Sequence, residues 1–172
     1  MSTLHVENLK GLSSGGNANK IIVPSGQTLT APGHVIQVQR SSISGNITTS
    51  SVNASATGLE CAITPKFATS LLKIELVGGR HYMTNSQLDI HLYKDGSTVN
   101  SVGNGRWISI YNNEPIHNGG YSACHFETAS STNARTYQIY FDGHTTYPVY
   151  FNNSPSGNNE YLVHLVVTEI AQ

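Results

Sequence analysis

The feature that most constrains this chain is a series of short strand signals with no helical period between them. No segment of the 172 residues places apolar side chains at helical spacing over three turns. Short apolar or alternating runs recur instead, at near-regular spacing. Such a series predicts an all-β sandwich or barrel rather than a β-solenoid, which would need a fixed short repeat. The predicted strands are 34–40, 58–63, 71–77, 88–94, 107–111, 121–128, 136–142, 147–152 and 161–170, with weaker signals at 5–9, 20–24 and 27–30.

The connectors hold the residues that tight turns require. Gly78-Gly79, Asp95-Gly96 and Asp142-Gly143 are predicted to turn the chain, because Gly and Asp tolerate the positive φ angles of short hairpins. Residues 41–57 are mostly Ser, Thr, Asn, Gly and Ala, and they predict one loose edge strand.

Two of the predicted strands show which side chains enter the core. In 161–170 both alternating rows are largely apolar, so this strand is predicted to be central in a sheet and covered on both faces. In 88–94 the alternation is clean. Leu88, Ile90 and Leu92 are predicted to enter the core, whereas the other row is predicted to face solvent or a neighbour, namely Asp89, His91 and Tyr93.

Composition excludes several classes of function. Only 11% of the residues are charged, against about 25% in ordinary globular proteins, and the formal net charge is −1, so a nucleic-acid partner is not expected. No apolar run reaches the roughly 20 residues that span a bilayer, so no membrane insertion is expected. The N-terminus lacks the pattern of a signal peptide, and synthesis in a cytosol is expected. Cys61 and Cys124 fit no metal spacing and are both predicted to be buried thiols.

The first 33 residues differ from the rest and predict a separate arm. Residues 13–19 are typical of a flexible joint, and Ala31-Pro32-Gly33 marks a boundary with a main domain at 34–172. The segment holds too few apolar residues for a core of its own. We expect those residues to be covered by other copies of the chain or by a larger assembly. The candidate attachment residues are Leu4, Val6, Leu9, Ile21, Ile22, Val23 and Leu29.

No motif predicts an enzyme or a cofactor. The sequence has no Gly-x-Ser-x-Gly elbow and no His-Glu-x-x-His, and its acidic residues are spread over turns and strands. Its eight histidines include no His-x-His pair, so they are interpreted as structural. The alternative is a threefold axis that gathers three copies of one histidine around an ion.

The loop at 103–106 supplies the candidate receptor-facing residues. It is rich in glycine but precedes no helix, so it is not a phosphate cradle. Asn104, Arg106 and Trp107 could stack on sugars or fill a protein interface, whereas the simpler interpretation places Trp107 in the core. Tyr147 and Tyr150 are three residues apart, so they point to opposite sides of a strand and cannot form one stacking platform.

Short motifs along most of the chain resemble those of virion structural proteins of marine tailed bacteriophages. They are MSTLHVENL (1–9), KIIVPSGQTL (20–29), APGHVIQVQ (31–39), ITPKFATSLLKI (63–74), LYKDG (92–96), TYQIY (136–140) and VVTEIA (166–171). None is catalytic, and their order is more specific than any one of them. The resemblance implies a jelly-roll-like antiparallel β-sandwich, commonly trimeric, that a short extended N-terminal arm mounts on the particle. The longer fibres of this group have an extended shaft, which this chain lacks.

Two functions follow from this resemblance. The first, which we favour, is a short tail fibre or fibre-tip appendage that recognises a surface glycan or protein of the host bacterium. It predicts exposed aromatic and amide side chains at the end distal from residue 33. The alternative is a capsid decoration (cement) protein that stabilises the shell. Either protein would be located in the virion and assembled in the host bacterial cytoplasm. Its expected partners are other virion proteins and further copies of itself, in a homotrimer.

Overall fold

The computed structural model describes residues 13–16, 23, 31–99, 105–145, 147–152 and 161–172. The chain divides into two compact units, Met1–Ala31 and Pro32–Gln172, and every described strand lies in the second. The strands predicted before residue 31 lie outside the described residues. So do most of the candidate attachment residues; Val23 is described and is exposed.

The described part of the second unit consists of β-strands and turns, without an α-helix. No helix long and apolar enough to cross a bilayer is found in the described ranges. The strands are β1 (Val35–Ser44), β2 (Ile47–Thr49), β3 (Ser55–Ile63), β4 (Leu71–Gly78), β5 (Arg80–Met83), β6 (Gln87–Lys94), β7 (Ser97–Thr98), β8 (Ile108–Tyr111), β9 (His117–Gly120), β10 (Ala123–Thr128), β11 (Arg135–Gly143), β12 (Val149–Phe151) and β13 (Leu162–Ile170).

These strands form three sheets in which every pairing is antiparallel. The first sheet has the order β1-β13-β4-β10. The second has the order β3-β11-β6, and β6 pairs on its other side with β7 and β8. The third has the order β2-β12-β5-β9.

The third sheet continues the first sheet beyond a bend. Its strands β2, β12, β5 and β9 are sequence neighbours of β1, β13, β4 and β10, in the same lateral order. Two of the four crossings contain glycines at positive φ: Gly45 between β1 and β2, and Gly78 and Gly79 between β4 and β5. Because such angles break an extended strand, these glycines let the chain change direction at the bend.

One hydrophobic cluster joins the three sheets. Alternate residues of β4 and β13 enter it from the first sheet, and alternate residues of β3, β6 and β11 enter it from the second. Phe151 of the third sheet lies 5.7 Å from Phe141, ring centroid to ring centroid. The prediction of an all-β sandwich is confirmed.

The predicted strands between 34 and 170 are all present, with shifted ends, but several details were wrong. Residues 41–57 form the end of β1, all of β2 and the start of β3, because their polar residues pair with β13, β12 and β11. Asp95-Gly96 does make the predicted turn, with φ of 51° and 76°. Asp142-Gly143 does not, because β6 pairs with β11 as far as Gly143.

The strand at the C-terminus is central, between β1 and β4, as predicted. The prediction that both of its faces are covered was wrong. Val163, Leu165 and Val167 are buried, but the opposite row is only half-buried and Leu162 is 53% exposed. That row lies on the outer face of the first sheet, where no described element covers it.

The two cysteines have different environments. Cys61 is buried, as predicted, and burial raises the pKa of its thiol. Cys124 is exposed, so that prediction was wrong. Its strand β10 is an edge of the first sheet, and Cys124 shares the outward row with the exposed Phe126.

Candidate binding surface

Two of the three predicted receptor-facing residues, Arg106 and Trp107, lie in the described part of the chain, and both contact other parts of it. Trp107 is partly buried against the core, and its backbone N–H donates to the Ile90 carbonyl at 2.6 Å. Arg106 places its Nε 3.0 Å from Asp89 Oδ2. Asn104 lies outside the described residues. Trp107 therefore packs against the core, as the simpler interpretation held. Arg106 forms an ion pair with Asp89 of the same chain.

Asp89 was predicted to face solvent or a neighbour, and the structure buries it instead, with 1% of its surface exposed. Gln87 Nε2 donates to Asp89 Oδ1 at 2.8 Å, and Arg106 covers the other oxygen. The burial is possible because the carboxylate is paired with a cation and hydrogen-bonded.

His91 lies beside Asp89 on the outer face of the second sheet and has both ring nitrogens occupied. Nδ1 is 2.7 Å from the Gly105 carbonyl oxygen, and Nε2 is 2.9 Å from Asp142 Oδ2. The Gly105 carbonyl only accepts hydrogen bonds, and so does the Asp142 carboxylate when it is ionised, so both ring nitrogens are placed to donate. Burial alone would lower the pKa of His91, but Asp142, Gly105 and Asp89 outweigh burial and raise it. No ring nitrogen is left to act as a base on a substrate.

A different surface has the features expected of a recognition site. On the outer face of the third sheet, Thr48, Tyr150, Tyr82 and Asn118 lie side by side on β2, β12, β5 and β9. The opposite row is buried and includes His81, Met83, Val149 and Phe151. The Tyr82 and Tyr150 rings meet edge to face, with centroids 5.4 Å apart.

Arg80 is the charged member of this face, since it lies two residues before Tyr82 on β5. Its Nη2 donates to Asn118 Oδ1 at 2.6 Å, and its Nη1 donates to Tyr161 Oη at 3.0 Å. Its guanidinium carbon is 5.6 Å from the centre of the Tyr161 ring. We call Arg80, Tyr82, Asn118, Tyr150 and Tyr161 the distal surface.

The distal surface lies at the end of the second unit that is remote from Gly33. At the near end, the Gly33 N–H donates to the Ala171 carbonyl at 2.8 Å, beside the end of β13. The third sheet begins at the other end of β13, where Leu162 pairs with Ser44. Aromatic and amide side chains thus cluster at the end of the second unit that is remote from Gly33.

A histidine pair lies beneath the distal surface. His81 Nε2 and His117 Nδ1 are 2.9 Å apart, and no partner for the buried His81 Nδ1 is present in the described part of the chain. Burial, with the nearby charges of His117 and Arg80, lowers the pKa of His81 to about 4. His81 is therefore neutral at pH 7. With its proton on Nε2, the His81 ring donates to His117 Nδ1, and the unpartnered Nδ1 is a bare nitrogen.

Sequence reasoning missed this surface because it missed β5. The prediction that Tyr147 and Tyr150 share no platform was concerned with the wrong pair, since the aromatic neighbour of Tyr150 is Tyr82. The available signal was the alternation in Arg80–Met83 after the two glycines, with Arg80 and Tyr82 in one row. A four-residue strand is too short for that alternation to stand out.

The described residues include no group of three His, Cys, Asp or Glu side chains that could hold a metal ion. No protein-family model matches the chain, and no curated protein is significantly similar to it.

Proposed function

We propose that this chain is a virion structural protein of a bacteriophage, a short tail fibre or fibre-tip appendage that attaches to the host surface. The observation that carries the proposal is the distal surface: two tyrosines in contact, a fixed guanidinium and an amide, on the outer face of a sheet. Tyrosine and arginine dominate recognition interfaces because they offer large rigid contact areas together with polar groups. The sequence resemblance to virion proteins supplies the biological setting.

A jelly-roll topology is part of this proposal, and the strand order supports it. When β7 is set aside, the strands of the first two sheets are, in chain order, β1, β3, β4, β6, β8, β10, β11 and β13. In ranks along that series, the first sheet has the order 1-8-3-6 and the second has the order 2-7-4-5. The first and last strands of the series are neighbours in the first sheet, and the chain passes back and forth between the two sheets. Both features fit the paired Greek keys of a jelly roll.

The position of the distal surface supports a tip. Residues 1–33 are proposed to attach the chain to the particle and to other copies in a homotrimer. Within the second unit, Gly33 lies beside Ala171, at the end remote from the distal surface.

The alternative is a capsid decoration protein, and the outer face of the first sheet favours it. That face exposes Val38, Phe126 and Val77, of which Val38 and Phe126 are each about half exposed. Exposed apolar side chains of this kind are suited to packing against a neighbouring shell protein.

Immunogold labelling of intact particles that carry the chain tests the two functions. Label at the tail is expected for the appendage, whereas label over the shell would favour decoration. Particles that lack the protein by both labelling and mass spectrometry would refute a virion role altogether.

A further inference from the structure

We infer that the distal surface binds an acidic oligosaccharide, a chain of hexuronate type, with Arg80 as the group that binds its carboxylate. The inference rests on the proposed function, since it names the class of ligand for the same surface. Three observations carry it: Arg80 has no carboxylate partner among the described residues, its side chain is held in a fixed orientation, and tyrosines lie beside it.

Arg80 has neutral hydrogen-bond partners, whereas several other cations of the described residues are paired with a carboxylate. Both of its hydrogen-bond acceptors, Asn118 and Tyr161, are neutral. A carboxylate lies within 4.0 Å of four other cations, namely Lys73, Lys94, Arg106 and Arg135. The described strands of the third sheet contain no Asp or Glu at all. The distal surface therefore carries a positive charge that no carboxylate of its own sheet balances.

The geometry of Arg80 suits a carboxylate. A guanidinium has five N–H groups. Arg80 donates one to Asn118 and one to Tyr161. Beyond these two described bonds, three N–H groups remain for a ligand, and a guanidinium recognises a carboxylate with two parallel hydrogen bonds. Because Asn118 and Tyr161 already hold the side chain, a ligand loses less affinity to ordering it.

The residue directly opposite Arg80 on β9 is a glycine, Gly120, which is exposed. A Cβ built at Gly120 would meet only the Gly79 carbonyl oxygen, at 3.8 Å. The side chain that contacts the guanidinium from β9 is therefore Asn118, two residues before Gly120. Among the described residues, no side chain stands directly opposite Arg80 on that strand.

Tyr82 and Tyr150 supply the complementary sugar contact. They are partly exposed, and Tyr82 lies two residues along β5 from Arg80, which is about 7 Å in an extended strand. One face of a sugar ring is apolar and packs on an aromatic ring, while its hydroxyl groups bond with amides such as Asn118. A chain of acidic sugars can therefore place a ring on the tyrosines and a carboxylate on Arg80.

The test is isothermal titration of the full-length protein with hexagalacturonate, hexaglucuronate and hexamannuronate, each beside its fully methyl-esterified counterpart. We expect at least one free acid to bind at least tenfold more tightly than its ester. Arg80→Gln should weaken that binding about tenfold or more, Arg80→Lys should weaken it partly, and Tyr82→Ala or Tyr150→Ala should weaken acid and ester alike. Arg40→Gln, on the exposed outer row of the first sheet, is the matched control and should leave binding unchanged.

The remaining outcomes separate this inference from the proposed function. Equal binding of acid and ester, with loss in Tyr150→Ala, would overturn the role of Arg80 but retain a glycan-binding appendage. Binding of no probe, while the fluorescent protein still labels host cells and Tyr150→Ala abolishes the labelling, would overturn the ligand class alone. Binding of no probe and no labelling that depends on the distal surface would overturn both. Urea unfolding of each variant shows whether a loss reflects misfolding.

Discussion

At the scale of single residues, Glu169 shows that a charge can occupy the core row of a strand. It follows Val163, Leu165 and Val167 on the buried face of β13 and is itself fully buried. Burial alone would raise the pKa of its carboxyl, but hydrogen bonds from Gln37 and from the backbone N–H groups of Phe67 and Lys66 outweigh burial and lower it. The carboxylate thus ties β13 to β1 and to the β3–β4 connection.

Replacing Glu169 should destabilise the protein, because its donors would lose a charged acceptor. The Lys66 N–H donates to Oε1 at 2.8 Å, and Gln37 Nε2 donates to Oε2 at 2.6 Å. We expect Glu169→Ala to lower the free energy of unfolding in urea at pH 7 by about 2–4 kcal/mol. Glu169→Gln, which keeps one acceptor, should cost about half as much. Glu60→Gln, at an exposed carboxyl, should cost almost nothing, and equal effects at the two positions would contradict this account.

The pH dependence of the Glu169 effect has a defined sign. Because the folded pKa is lowered, the unfolded chain takes up the proton first as the pH falls. The stabilisation by Glu169 is therefore complete above the unfolded value of about 4.3 and is lost as the pH falls through the folded pKa. The difference between wild type and Glu169→Gln should shrink at pH 3, and a difference that stays constant from pH 7 to pH 3 would argue against an ionised Glu169.

His81 gives a second prediction, in a higher pH window. Its folded pKa of about 4 lies below the unfolded value of about 6.5, so stability is fully present above pH 6.5 and falls as the pH drops toward 4. The loss attributable to His81 is about 3 kcal/mol. Urea unfolding of His81→Gln should show a shallower pH dependence between 6.5 and 4 than wild type does. The exposed His144→Gln is the control. An unchanged slope in His81→Gln would mean that the pKa of His81 is the same in the folded and unfolded chain.

At the scale of elements, the bend between the first and third sheets depends on close contact at Gly79. Its φ is +92°, and a Cβ there would lie 2.6 Å from Tyr121 Oη and 2.7 Å from its Cζ. Tyr121 is buried and packs on Phe151, with ring centroids 5.2 Å apart, so it has little room to withdraw. The bend therefore requires glycine for two reasons: backbone angle and space.

Two glycine-to-alanine variants distinguish the cost of the backbone angle from the cost of the missing space. Gly96→Ala, at φ +76° with nothing within 4 Å of the new Cβ, should cost only the backbone strain, about 1 kcal/mol. Gly79→Ala carries the same strain plus the collision with Tyr121, and we expect it to cost about 3 kcal/mol or more. Thermal and urea unfolding of both variants measure the difference. Equal costs would show that the Tyr121 ring moves aside freely.

The sequence predicted the long elements and missed the short ones for a physical reason. Strands such as β11 and β13 alternate buried residues with more exposed ones over nine positions, so their period is visible. β5, β9 and β2 have only three or four residues, and β9 consists of His-Asn-Gly-Gly. Their strand conformation comes from pairing with neighbours across the sheet, which a local pattern cannot show. The distal surface is built on these strands, and so it was missed with them.

At the scale of the whole molecule, the outward faces could be predicted less well than the core. Leu88, Ile90 and Leu92 are all buried, because apolar alternation is sufficient to define an inner row. The same alternation predicted that Asp89 faces solvent. In the structure Asp89 is buried, because Arg106, 17 positions along the chain, covers it. Burial of a polar side chain depends on a partner that is distant in sequence. For this reason the inner row of the sandwich was predictable, whereas the polar clusters on its surfaces were not.

The two units are expected to contribute differently to folding and to assembly. The described hydrophobic cluster draws all of its residues from 43–167, and the pairing of Gly33 and His34 with Ala171 also lies within the second unit. A chain of residues 32–172 should therefore keep its folded state, with a thermal midpoint within a few degrees of that of the full-length protein. If residues 1–33 join the copies, full-length protein should be a trimer and the shortened chain a monomer at micromolar concentration.

Light scattering of both chains, with circular dichroism as the check on folding, decides between two sources of assembly. A shortened chain that remains trimeric would place the contacts on the sandwich itself, where the exposed Val38 and Phe126 offer an apolar face of the first sheet. Charged substitutions at these two positions should then dissociate it. A full-length monomer would remove the trimer from the proposal, and a shortened chain that fails to fold would show that the N-terminal residues stabilise the sandwich, contrary to the division argued here.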